Sequence, residues 1–235
     1  MRQFHQKMIA GLNLSRISAA VLIVFTGLNL GFYALASSTS EFTQAINPGT
    51  LSTDIVNGSY VSVSSPTFSM SAVPFSFSCQ ASTGTFGSAT QQIYVKNPDA
   101  SDTGWTLTLA GSSPTAYWDS ITSSLDFDFN DSASSGCSDG ADTDILKGQM
   151  TVDPSIATLA KGACAACDTA NITKGNSTAF AEGATDSVTL LTAAAGSSDI
   201  GDWTLQGVSV SQTIPGEQPA ANDYKVNLSL SIVAN

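Results

Sequence analysis

Beyond residue 36 the chain has no arginine and no histidine. Only five lysines (Lys96, Lys147, Lys161, Lys174 and Lys225) stand against 19 acidic residues, a net charge of −14 for residues 37–235. An acidic, arginine-free surface repels phosphate backbones, which excludes nucleic acid as a partner, and acidic lipid headgroups are repelled in the same way. Without histidine there is no Ser-His-Asp or Cys-His nucleophile system and no histidine-ligated zinc. Paired carboxylates remain, and two of them could serve as a glycosidase acid and base. The sequence shows no apolar pocket that would raise the pKa of one of them. A non-enzymatic protein is therefore expected, with a secreted carbohydrate-active enzyme as the weaker alternative.

Helical periodicity is also scarce after residue 36. The one long apolar run, Ile17 to Ala36, follows the basic residues Arg2, Lys7 and Arg16 and ends in Ala34-Leu35-Ala36. A basic start, an apolar run and a small-x-small ending form a signal peptide. The run is also long enough to stay in place as an N-terminal membrane anchor, which needs about 20 residues. Both readings of residues 1–36 export residues 37–235 and leave any membrane contact to this first segment. An extracellular or cell-surface location follows.

Four cysteines follow: Cys79, Cys137, Cys164 and Cys167. An even number in an exported chain points to structural disulfides, with three connectivities open. The expected bridge joins Cys137 to Cys164 or Cys167, tying two loops together. Cys164-Ala165-Ala166-Cys167 can alternatively be read as a redox motif or half of a zinc site, but a second CxxC and a following helix are missing.

What is present in abundance is strand signal. Short alternating runs rich in Val, Ile, Thr, Phe and Tyr are separated by Gly, Ser, Pro and Asp clusters. They predict strands near 58–64, 67–79, 90–96, 103–110, 123–129, 147–152, 185–192, 202–212 and 223–233. In the last, Tyr224, Val226, Leu228, Leu230 and Ile232 alternate with polar residues, the pattern of a strand with one buried and one wet face. Eight or nine strands without intervening helices predict an all-β protein, an antiparallel β-sandwich spanning 58–235. Residues 37–57, low in hydrophobic content, are expected to be a flexible lead-in.

Leu125 to Asp144, LDFDFNDSASSGCSDGADTD, concentrates oxygen-bearing side chains. Asp126, Asp128 and Asn130 alternate with apolar residues, and Asp131, Asp139, Asp142 and Asp144 follow in a Gly/Ser-rich loop. Hard cations take six to eight oxygen ligands, so this stretch is a candidate calcium site. The other reading is a solvated acidic edge whose charges keep neighbouring sheets apart.

Trp105-Thr106-Leu107 and Trp203-Thr204-Leu205 repeat one motif. In a strand, Trp and Leu two apart share a face, which suits core packing; stacking on carbohydrate would need an exposed indole. Trp118, in the turn-rich SPTAYWDS, is the expected exposed aromatic and the better candidate for stacking on sugar. QIYVKNPDASDTGWTLTLAG, a strand, a polar turn and then Gly-Trp-x-Leu, resembles the first half of a WxL domain. The ending IPGEQPAANDYKVNLSLSIVAN resembles that family's close, although its final strand reads Leu228-Ser229-Leu230 where the family has its second Trp-x-Leu. The resemblance implies a secreted β-rich module that attaches non-covalently to cell-wall glycan, in particular peptidoglycan, or to other envelope proteins. A self-associating surface-layer or appendage subunit is the alternative.

Overall fold

The computed structural model describes residues 43–99, 103–113, 115–140, 144–196 and 200–235. The expected leader, residues 1–36, lies outside the described residues. The architecture is all-β, without an α-helix among the described residues.

Four strands form one sheet in the order β1 (Ser52–Val56), β3 (Gln92–Asn97), β12 (Gly201–Gln206), β8 (Thr158–Lys161). A second sheet runs β10 (Thr178–Ala179), β7 (Gln149–Asp153), β13 (Val208–Ile214), β2 (Gln80–Phe86). A third runs β14 (Leu228–Ala234), β4 (Trp105–Gly111), β11 (Ser187–Ala193), β9 (Ile172–Lys174). A two-stranded ribbon pairs β5 (Tyr117–Trp118) with β6 (Phe127–Asp128). Every pairing between these strands is antiparallel.

The core forms because alternating apolar residues of these strands face one another. Trp105, Leu107 and Leu109 of β4, Leu190 and Leu191 of β11, and Trp203 and Leu205 of β12 are all buried in one cluster. Trp105 and Trp203 meet at 5.5 Å between ring centroids, so the two Trp-Thr-Leu motifs join the first and third sheets.

Several sequence expectations are corrected. The run 202–212 is two strands in two different sheets, because Gly207 between them adopts φ +77, a left-handed conformation available to glycine at no steric cost. Residues 58–64 and 67–79 form no strand of their own. Pro66 and Pro74 interrupt the stretch, since proline cannot donate to a ladder, and single contacts such as the Met70–Gly84 bridge and the Ser82 hydroxyl bond to Ser71 O stand in for one. In the run 123–129 a 3-10 turn (Ser123–Leu125) precedes the two residues of β6. The lead-in is not wholly irregular: Ser52–Val56 is β1, paired along its length with β3, and Asn47–Asn235 pack as one unit. There are 14 strands among the described residues, the extra ones being mostly too short to show alternation.

The disulfides join Cys79 to Cys137 and Cys164 to Cys167, which corrects the expected Cys137 bridge to Cys164 or Cys167. The first pair, 58 residues apart, ties the turn Ala133–Gly136 to the entry of β2. Closing a loop of that length stabilises by about 4 kcal/mol in the chain-entropy account. Two intramolecular disulfides fit an oxidising, extracytoplasmic environment.

Candidate functional site

A groove of about 430 Å³ opens beside β13, within the range of about 300–1,000 Å³ usual for ligand sites. One wall is Phe68 to Phe75, the irregular stretch ahead of β2; the other is the loop Gln218 to Tyr224, with Trp118, Phe127 and Gln212 between them. Among the described residues, no acidic or basic side chain lines it, in a chain that carries 19 acidic residues.

The aromatic shelf follows from local pairing. The β5–β6 ribbon sets Trp118 opposite Phe127, and the rings stack at 5.8 Å with planes 9° apart. A bridge between Asp119 and Lys225 brings the neighbouring Tyr224 edge-on to Phe127 at 5.0 Å. Polar contacts hold Trp118 and Tyr224, while Phe127 is itself buried. Trp118 Nε1 donates to Gln212 Oε1 at 2.9 Å. The Gln212 amide, itself buried, donates to Asp128 O and Thr213 O. Tyr224 OH donates to Pro219 O at 2.7 Å, and Gln218 Nε2 donates to Leu125 O and to the Tyr224 hydroxyl. Aromatic faces beside amides and hydroxyls, without charge, can stack on apolar ring faces and hydrogen-bond neutral polar groups.

Two carboxylates fix the turn behind this shelf. Asp126 Oδ1 accepts from Ser120 N, while Asp223 accepts from Ile121 N and from Ser120 Oγ. The Ile121 N–H bond is the main reason that the Asp223 carboxyl titrates below its ordinary range, with the Ser120 hydroxyl and Lys225 acting in the same direction.

The rest of the acidic stretch is dispersed. Asp128, Asn130 and Asp131 are buried, so the expected solvated edge is absent at these positions. Their strand-like alternation ends with β6, and the chain turns inward. Asp128 Oδ1 accepts from Phe129 N and Asn130 N. Asp131 caps the following loop through Ala133 N and Gly140 N, and Asp144 caps a turn through Leu146 N. These are the local side-chain-to-backbone bonds that aspartate makes in turns. Asp139 is exposed, and Asp142 lies outside the described residues. Among the described residues, the carboxylates of 126–144 form no group of three with donor atoms within 4.8 Å of one another.

One such group does occur elsewhere: Cys164, Cys167 and Asp202. Asp202 is buried in β12 and accepts from Ala163 N, Cys164 N and Tyr94 OH. Burial, and then this hydrogen bond, push the Tyr94 phenol above its ordinary range.

Trp105 and Trp203 are fully buried and present no face to a ligand; Leu107 and Leu205 are buried with them. Trp118 is half-buried rather than fully exposed, because Phe127 and Gln212 hold it. Sequence reasoning missed Gln212, Gln218, Phe68 and Phe75 in the groove, and Asp202 beneath the CxxC. Of the groove residues, Trp118, the expected stacking aromatic, and Tyr224, at the head of the alternating run 223–233, carried a signal; the strand expected over 223–233 begins only at Leu228. Comparison with known proteins adds no relative: no family model, curated protein or solved structure matches the chain.

Proposed function

We propose that this is a non-enzymatic, exported surface protein that associates with cell-wall glycan, and that the groove around Trp118, Phe127 and Tyr224 is where it does so. The observation that carries the reading is the uncharged aromatic and amide lining of that groove in a protein of strongly negative charge. A charged ligand would meet no countercharge there. A neutral polyol can lay its ring face on an aromatic side chain and place its hydroxyls against Gln and Ser. Disulfides and the WxL-like segments agree with an envelope location. The reading gives calcium no part, since Asp126, Asp128, Asp131 and Asp144 accept from backbone amides of the chain.

The test is co-sedimentation of the protein with purified peptidoglycan and with the wall polysaccharide separated from it. Binding above that of a control protein of similar charge, lowered at least tenfold by Trp118→Ala, is expected. Binding equal to the control would remove the wall association.

One observation favours a second reading. β14 is a seven-residue sheet edge, LSLSIVA, without the charge or proline that usually blunts an edge. Such an edge can add a strand from another copy. Concentration-dependent growth of the particle mass in light scattering, abolished by Val233→Lys, would support self-assembly in place of wall binding.

A further inference from the structure

The Cys164–Cys167 bridge closes a loop over the buried carboxylate of Asp202, and three features of that loop bear on what the cysteines do when they are reduced.

The first is that hydrogen bonds independent of the sulfur–sulfur bond hold the loop at both ends. At its start, Gly162 N donates to Asp202 O at 2.8 Å, and Ala163 N and Cys164 N donate to the Asp202 carboxylate at 2.8 Å each. At its end, the buried indole of Trp203 donates to Asp168 O at 2.7 Å. β8 and β12, which carry the loop, are paired from Lys161 and Trp203 onward. Breaking the disulfide therefore removes none of the contacts that place Cys164 and Cys167 beside each other.

The second is the donor set. Two sulfurs and a carboxylate oxygen lie within 4.8 Å of one another. A tetrahedral zinc site with bonds of about 2.3 Å to sulfur holds its two thiolates about 3.8 Å apart. Once the covalent bond is gone, the sulfurs need only separate to ordinary contact to reach that spacing. Asp202 accepts three hydrogen bonds, and a carboxylate has about four acceptor sites, so an oxygen lone pair remains for an ion. The Tyr94 hydroxyl, at 2.6 Å, is the kind of outer partner that fixes a ligating carboxylate.

The third is room and charge. Both cysteines are half-exposed, which leaves a fourth position open to water. Glycine stands at 162 and 201, where a Cβ would collide with Asp202 Oδ2 and with Cys167 Sγ. Two thiolates and one carboxylate around a divalent cation leave one negative charge, and the Lys161 ammonium, bonded to Ala165 O at 2.9 Å in the same loop, offsets it.

We propose that Cys164, Cys167 and Asp202 form a redox-gated site for a thiophilic divalent cation of the zinc class. A dithiol reductant supplies two electrons and two protons: the Cys164–Cys167 bond breaks, each sulfur takes a proton, and the reductant becomes a disulfide. The cation then binds both sulfurs and Asp202 and releases the two thiol protons to water. The oxidised protein has no thiolate to offer and does not bind. Calcium, which takes oxygen ligands, is excluded by the same chemistry.

The test titrates cobalt(II), a spectroscopic stand-in for zinc, into the intact protein before and after reduction by a phosphine under anaerobic conditions. One equivalent should bind to the reduced form with a thiolate-to-cobalt charge-transfer band and tetrahedral d–d bands, and zinc should displace it. The oxidised form should give neither band. Cys164→Ser/Cys167→Ser, in a half-exposed loop, should abolish both bands after reduction, although Cys79 and Cys137 are then also thiols. Tyr94→Phe should keep both bands with affinity lowered about tenfold, and Asp202→Asn should weaken binding more than that. The proposal is overturned if reduced wild type shows no band, if the double serine variant binds like wild type, or if folded reduced protein binds no more tightly than the same chain unfolded in urea.

Discussion

The tryptophans divide the molecule into two regions. Trp105 and Trp203 meet in the core between two sheets with their rings tilted by 43°, at 0 % exposure each. Trp118 sits on a two-residue strand at the rim of a groove, half-buried. All three sit on strands, but their surroundings differ. The core pair fills volume that other apolar strands close over. Trp118 is held by one stacked ring and one amide, and its neighbours across the groove come from irregular chain. The difference teaches that a Trp-x-Leu spacing in this protein signals packing, whereas the binding candidate is the indole outside any such pattern.

The comparison is broken most severely by truncation. Trp203→Ala empties a closed core and should cost about 3–5 kcal/mol, measured by urea unfolding under oxidising conditions. Trp118→Ala should lose wall binding at least tenfold with a clearly smaller loss of stability. If Trp118→Ala unfolds the protein as badly as Trp203→Ala, the two regions are one. Next in size is Gln212→Leu. It takes the acceptor from Trp118 Nε1 and the donor from Asp128 O, so stability should fall by about 1–3 kcal/mol, with weaker wall binding because the indole loses its anchor. The same denaturation series paired with co-sedimentation reads both effects.

A finer contrast lies within the core pair. Trp203 Nε1 is bonded to Asp168 O, whereas Trp105 Nε1 is buried without a hydrogen-bond partner among the described residues. Removing an unsatisfied buried donor offsets part of the packing lost. Trp105→Phe should therefore cost less than Trp203→Phe, and equal or reversed losses would contradict this account of the two indoles.

The smallest expected effect is on acidification. Asp223 has a depressed pKa in the folded protein, so its contribution is fully present above the ordinary aspartate value of about 3.9 and disappears as pH falls through the lower, folded value. Asp223→Asn should flatten the acid side of the stability profile and loosen the turn behind the groove without touching the core. An unchanged profile between wild type and Asp223→Asn would show that the Ser120–Ile121 clasp carries no stability.

Much of the fold was legible. The alternation that marked 90–96, 103–110, 147–152 and 185–192 returns in β3, β4, β7 and β11, because each of these strands has a buried face and long-range partners to match. The failures have local causes. At 202–212 the alternation continues across Gly207 although the strand does not, since the residue is free to turn the chain at φ +77. At 67–79 the alternating residues lie along the outside of β2, where prolines deny them a ladder. For the site, density in sequence did not mark convergence: of the six aspartates between 126 and 144, Asp126, Asp128, Asp131 and Asp144 turn to separate backbone amides. Meanwhile Asp202, alone in its segment, meets two cysteines that approach it across a strand pair. Groove residues such as Gln212 and Phe68 gave no signal, because neither residue type nor spacing distinguishes them until the sheets place them together.

The account is tested most directly by collisional quenching of tryptophan fluorescence with a neutral quencher, in the presence and absence of soluble, uncharged fragments of wall glycan. Trp105 and Trp203 are fully buried, so Trp118 is the indole the quencher reaches. The account predicts that saturating glycan removes the quenchable fraction and that Trp118→Phe has no such fraction to lose. Quenching unchanged by glycan, in protein that still sediments with the wall, would contradict it and place the binding surface elsewhere.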